Sequence, residues 1–324
     1  MAEHDLIRSF REIVSVRGDR VVRASGDDAA VARAGGGVVV SSIDSVVDGV
    51  HFRRATHSLA DIGHKALARG LSDLAAMGAE TGEAYVALAA PGDLSESDAL
   101  ELVRGMEALA ESTGTSIAGG DVTSSPVLAL TVSVNGWAAS EGDLAYRDGA
   151  RDGDLLGVTG ELGGSAAGLL LLGGASTPLS EAEAGALLLR HRRPTPRLAA
   201  GHALAAAGVS AMIDLSDGVA TDARHLADAS GVAIEVRLEA LPVAAGVEAV
   251  AEATGRDPLE LAAGGGDDYE LLFTAPPAAR AAIEAAAREA GTYVRWLGRA
   301  AAGAGVRLVG PGGDAVAIAG FEHL

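Results

Sequence analysis

Aspartates that sit beside hydroxyls and glycines are the residues of this chain best suited to chemistry. The stretch Val38–Phe52, VVVSSIDSVVDGVHF, holds Ser41, Ser42, Asp44, Asp48 and His51. Val38–Val40 is β-branched and predicts a buried strand. The run then breaks at Ser41, so one strand delivers two hydroxyls, two acids and an imidazole to one sheet edge. A carboxylate at the end of a buried strand is costly unless a cation or donors satisfy it. The same association recurs at Asp28 after Gly26-Asp27, Asp73 after Ser72, Asp121 after Gly119-Gly120, and Asp214 and Asp217 around Ser216. Each stretch taken alone also reads as a solvated turn. Together they suit Mg²⁺, which is held by a few carboxylates, waters and substrate phosphates. Phosphoryl transfer needs positioning and charge neutralisation more than a covalent nucleophile. The residues therefore fit a nucleotide site with several Mg²⁺ ions, without fixing the substrate. It is not a lysine-loop site. Lys65 is the only lysine and lies in GHKALA, so G-x-x-x-x-G-K-[ST] is absent, as is G-x-G-x-x-G after a strand.

The elements that position these residues follow from periodicity. Asp61–Ala79 reads as a helix whose Leu67, Leu71, Leu74 and Gly78 form a buried stripe. Asp73 falls roughly 120° off that stripe, facing a cleft or a polar flank. Ala84–Ala89 predicts a strand, and Ser95–Thr113 a helix capped by Ser95 and Asp98. Ser116–Ala118 predicts a short strand ending at Gly119-Gly120-Asp121, and Val127–Ala138 an antiparallel strand. The glycine-rich, charged stretch 142–153 suggests a domain boundary near residue 150. Arg147 within it suits a phosphate or a solvated linker. Beyond it, Leu155–Thr159 predicts a strand followed by Gly160-Glu161-Leu162-Gly163-Gly164-Ser165 and a helix. That order is an anion-binding arrangement or an ordinary tight turn. Ala211–Ile213 predicts a strand, with Asp217 able to cap the next helix.

With 324 residues, 48% of them hydrophobic, the chain exceeds the roughly 250–300 residues of a single core, so two domains are expected. A net charge of -19 argues against a nucleic-acid backbone or an anionic membrane as partner. Aromatics are only 3% of residues, too few for base-stacking platforms. There is no cysteine, which excludes disulfides, thiolate zinc and a cysteine nucleophile. The N-terminus MAEHDLIRSFREIV is not a secretory signal. No apolar run approaches the ~20 residues of a membrane helix. A cytoplasmic protein is expected.

In order, GDDAAV at Gly26, SSIDSVVDGVHF at Ser41, KALARGLSDLAAMGA at Lys65, GGDVT at Gly119, IDLSDG at Ile213 and GGDDYELLF at Gly265 resemble the thiamine-monophosphate kinase family of the aminoimidazole-ribonucleotide-synthetase-like superfamily. The segments span nearly the whole chain, and their ordered set is the specific signal. The resemblance implies ATP-dependent conversion of thiamine monophosphate to thiamine diphosphate, by direct in-line transfer with several Mg²⁺ ions. It implies Asp28, Ser42, Asp44, Asp73, Asp121, Asp214 and Asp217 as metal ligands. Gly120, Asp121, Arg147 and Ser216 would contact ATP, and His51, Asp267 and Phe321 thiamine monophosphate. It implies an α/β N-terminal domain (1–150), whose sheet pairs with its copy in a homodimer, and an α+β C-terminal domain (151–324). The active site would lie between them.

Three departures from the family pattern stand out. Ile43 replaces the usual Thr, Gly70 the usual Asn, and Asp267 a Glu that would reach about one methylene further. Other readings are a ligase of the aminoimidazole ribonucleotide synthetase type, which the SDLAAMGA and GGDDYELL segments disfavour, and a non-catalytic Mg-nucleotide-binding homologue. Relatives that form selenophosphate or mature hydrogenase commonly use a reactive Cys or selenocysteine, which this chain lacks.

Overall fold

The computed structural model describes residues 9–24, 31–33, 35–318 and 320. Contacts divide the chain into two compact units, residues 1–74 with 79–141 and residues 75–78 with 142–324. Residues 142–150 thus group with the second unit.

In the first unit, β1 (Val21–Arg23) and β2 (Val31–Ala32) form a small antiparallel ribbon. The main sheet has the order β3-β6-β4-β5, made of β3 (Val38–Val47), β4 (Glu80–Ala90), β5 (Ser116–Ser124) and β6 (Ala129–Ala138). Only β4 and β5 pair in parallel. Helices α1 (Leu59–Met77) and α2 (Glu96–Thr113) supply the apolar partners of one sheet face. Leu67, Leu71 and Leu74 of α1 and Leu130, Val132 and Val134 of β6 are all fully buried. The two helices cross closely. A Cβ on Gly63 would lie 2.0 Å from the Leu102 carbonyl oxygen, and one on Gly105 2.0 Å from that of Ala60. The capping box expected at Ser95 and Asp98 is formed on both sides, and Gly114 closes the helix at φ 72°.

Several strands run further than their sequences suggest, β4 among them, and two of these bear on the site. β3 does not break at Ser41 but pairs with β6 through ten residues, Val38↔Ala138 to Val47↔Ala129. Its hydroxyls take part in the ladder. Ser41 Oγ donates to Asn135 Oδ1 at 2.6 Å, and Ser45 Oγ lies 2.7 Å from Thr131 Oγ1. Asp44 is therefore a mid-strand residue, not a strand-end one. Likewise β5 passes through Gly119-Gly120-Asp121, because Gly120 lets it approach β4. A Cβ there would lie 2.1 Å from the Val86 carbonyl oxygen.

The second unit is built on a seven-stranded sheet. Its strands are β7 (Leu155–Thr159), β8 (Ala211–Asp214), β9 (Ala233–Arg237), β10 (Leu271–Ala275), β11 (Val294–Ala301), β12 (Gly305–Val309) and β13 (Ala315–Val316), ordered β13-β12-β9-β11-β7-β10-β8. All neighbours are antiparallel except β12 and β9. Helices α3 (Gly164–Leu172), α4 (Glu181–Arg192), α5 (Leu198–Ala206), α6 (Val219–Ser230), α7 (Val247–Thr254), α8 (Pro258–Gly264) and α9 (Arg280–Glu289) complete it. The strand period of two divides the core. Leu272 joins Val158, Ile213 and the α6 residues Val219, Ala223 and Leu226. Phe273, one residue on, joins Met212 with Leu204 of α5 and Ile283 of α9. Buried on both faces, β10 reads as the continuous apolar run seen in its sequence.

Candidate functional site

In the first unit, β3 and α1 bring four side chains together. Ser42 and Asp44 are two apart on the helix-facing side of β3 and half-buried. Arg69 and Asp73 are four apart on α1, hence on one face. Ser42 Oγ donates to Asp73 Oδ2, and Arg69 Nη2 lies 3.7 Å from Asp44 Oδ1. Asp73 leaves the leucine stripe as its angle requires. Two departures from the family pattern lie off this cluster. Ile43 points to the opposite sheet face and is 69% exposed, so a hydroxyl there would face away from Ser42 and Asp44. Gly70 is buried where a Cβ would press on both Val134 methyls at 3.2 Å.

Gly120 and Asp121 are exposed on edge strand β5. Beside them opens a small apolar slot of about 80 Å³, lined by Val86, Leu102, Val103, Met106, Ile117 and Val122 among others. His51 sits in the turn after β3, where its Nδ1 accepts from the Val47 amide at 3.1 Å.

In the second unit, Asp214 ends β8 and is 4% exposed. Ser216 and Asp217 follow, half-buried. Asp217 does not cap α6. Gly218 is the N-cap and has no side-chain oxygen to offer. Instead Asp222, in the first turn, reaches back and accepts from the amides of Asp217 and Gly218 at 3.1 and 3.0 Å. Burial, with Asp214 and Asp217 nearby, pushes the Asp222 carboxyl up to about 8. One ligand atom each of Asp217, Asp222 and His225 lie within 4.8 Å of one another. Neither Asp222 nor His225 is expected from sequence. The signal was an acid and a histidine three apart in the first two turns after the Asp-Leu-Ser-Asp segment.

Asp267 lies beside this loop, its amide donating to the Ser216 carbonyl at 2.9 Å. Arg147 is exposed, and its carbonyl accepts from Ser230 Oγ at 2.8 Å. The glycine turn 160–165 holds an anion, but an internal one. The Asp268 carboxylate accepts from the Gly163 and Ser165 amides at 2.7 and 3.2 Å, at the start of α3. Burial outweighs those amides and pushes the Asp268 carboxyl up to about 7. The folded state thus binds the extra proton between the ordinary carboxylate range and about pH 7. Its contribution to stability therefore falls as pH rises through that window. Urea unfolding of wild type at pH 5 and pH 8 should show this fall, and Asp268→Asn should reduce it, leaving the part that the raised Asp222 carboxyl contributes. An unchanged slope in the variant would contradict the assignment.

Asp28 and Phe321 lie outside the described residues. The other donors are carboxylates and hydroxyls, the hard oxygen ligands that suit Mg²⁺. Asp217, Asp222 and His225 lie close enough for one ligand atom of each to meet a single ion.

Two family descriptions match the chain. AIR synthase related protein, N-terminal domain, covers residues 26–138, and its C-terminal domain covers residues 151–310. The thiamine-monophosphate kinase of Rhodopirellula baltica is 38% identical over 269 residues, 80% of this chain and 78% of that protein. The crystal structure of the thiamine-monophosphate kinase from Stenotrophomonas maltophilia K279a superposes with a TM-score of 0.83, at 37% identity, covering 96% of both chains. The chain belongs to the thiamine-monophosphate kinase family. A further solved structure, AaThiL complexed with AMPPCP and TMP, is 31% identical, covers 99% of this chain and 96% of its own, and has a TM-score of 0.77. The candidate acids of both units fall inside the two matched stretches of the family, whereas Arg147 falls between them. Among the described residues no helix is long and apolar enough to cross a membrane.

Proposed function

We propose that this protein phosphorylates thiamine monophosphate with ATP, giving thiamine diphosphate and ADP. The observation that carries the reading is the match to a thiamine-monophosphate kinase over 96% of both chains at 37% identity. A relative bound to AMPPCP and TMP supports the two substrates. An oxygen of the acceptor phosphate bonds to the γ-phosphorus in line, the bridging bond to the β-phosphate breaks, and ADP leaves. In this reading Asp28, Ser42, Asp44, Asp73, Asp121, Asp214 and Asp217 hold Mg²⁺. When bound, these ions would neutralise phosphate charge. Gly120, Asp121, Arg147 and Ser216 contact ATP. His51, Asp267 and Phe321 contact thiamine monophosphate.

Purified protein with ATP and Mg²⁺ should make thiamine diphosphate from thiamine monophosphate and no product from thiamine. Product from formylglycinamidine ribonucleotide instead would favour the synthetase-type ligase. ATP binding without any turnover would favour a binding homologue.

The reading extends to a homodimer. The sheet face carrying Val39 and Ile43, 54% and 69% exposed, lies on edge strand β3 and supports pairing with a second copy. Light scattering should give twice the 32.2 kDa chain mass. A single-chain mass at micromolar concentration would contradict the dimer.

A further inference from the structure

The segment 265–270 is fixed at its flanks and strained in its middle. Glu270, 1% exposed, accepts from Thr159 Oγ1 at 2.7 Å and from Arg197 Nε at 2.9 Å. Asp268 is held on the amides at the start of α3. Between and before these anchors, Asp267 and Tyr269 adopt φ of 65° and 51°, the two non-glycine residues with positive φ among the described residues. Aspartate takes this region more readily than most residues, but a bulky side chain such as Tyr269 rarely does unless its surroundings impose it. Here two backbone bonds impose it: Asp267 N to Ser216 O and Tyr269 N to Leu215 O, both 2.9 Å. The consequence is that Tyr269, 2% exposed, turns its hydroxyl back onto the residue two before it. Tyr269 Oη donates to Asp267 Oδ1 at 2.8 Å.

We infer that Tyr269 is a positioning residue that fixes the Asp267 carboxylate for the phosphoryl acceptor. This rests on the reading that Asp267 contacts thiamine monophosphate. A buried phenol needs a partner, and a core-filling role would be served by any nearby carbonyl. Pairing instead with the proposed acceptor ligand removes rotamer freedom from it. That matters more for Asp267 than for a longer Glu, because a short side chain has less reach with which to find its partner.

The test compares wild type, Tyr269→Phe, Asp267→Asn and the double variant in steady-state kinetics with both substrates varied. Tyr269→Phe keeps the ring and deletes one oxygen. It should raise KM for thiamine monophosphate about tenfold, the scale of one hydrogen bond to a charged group. KM for ATP and the melting temperature should stay near wild type. The double variant should be no worse than Asp267→Asn alone, since the hydroxyl acts through that carboxylate. An unchanged acceptor KM in Tyr269→Phe overturns the inference, and so does a parallel loss of both KM values and of stability, which would mark a purely structural role. Failure of the wild type to use thiamine monophosphate would overturn the proposed function itself, and the inference with it. That result is seen before any substitution is made.

Discussion

Asp44→Asn is expected to lower turnover by about a hundredfold or more, the scale of losing one preorganised charge-stabilising group. The melting temperature should move by no more than about 2–4 °C, which corresponds to roughly 1 kcal/mol in a unit of this size. The asymmetry follows from position. Asp44 is half-buried in β3, and its backbone pairing with Val132 does not depend on the side chain. Arg69 is 3.7 Å away, too far for a strong bond. Asn has the same shape but not the charge that metal binding needs. Near-normal turnover would remove Asp44 from the metal set. Unfolding would show that its charge supports the sheet instead.

Arg197→Ala should have the largest effect on stability, about 3–5 kcal/mol, because it strands a buried carboxylate. Glu270 is 1% exposed and is met by Arg197 and Thr159 Oγ1. The fold is shaped around it. A Cβ at Gly160, whose φ is 56°, would lie 2.1 Å from Glu270 Oε1. Adding Glu270→Gln to Arg197→Ala should recover part of the loss, since a neutral amide is cheaper to bury than an unpaired charge. Chemical unfolding measures both. Equal stability of wild type and Arg197→Ala would mean that water replaces the guanidinium.

Most elements were legible because their patterns were local. The leucine stripe of α1, the Ser95 cap of α2 and the apolar run of β10 each state their structure within one segment. What was hidden depends on partners distant in sequence. The serines of β3 read as a break, yet across from Thr131 and Asn135 they complete a ladder. Gly119-Gly120 reads as a turn, yet it lets β5 come within reach of Val86. The candidate site was legible as types, acids with hydroxyls and glycines, and Ser42 with Asp73 does meet. The role of Asp222 is the local exception: its partners lie only four and five residues before it, but an acid in a first helical turn has the same sequence pattern whether it faces water or reaches back to those amides. The glycine turn after β7 allowed an anion or an ordinary tight turn, and nothing local to it pointed to Asp268, more than a hundred residues on.

The most direct measurement is to follow the γ-phosphorus of ATP. With γ-labelled ATP, Mg²⁺ and thiamine monophosphate, the label should appear in the terminal phosphate of thiamine diphosphate, in step with ADP. None should be trapped on the protein when the reaction is quenched early. Label bound to the protein would contradict direct transfer, and ADP formed without labelled thiamine diphosphate would contradict the kinase reading.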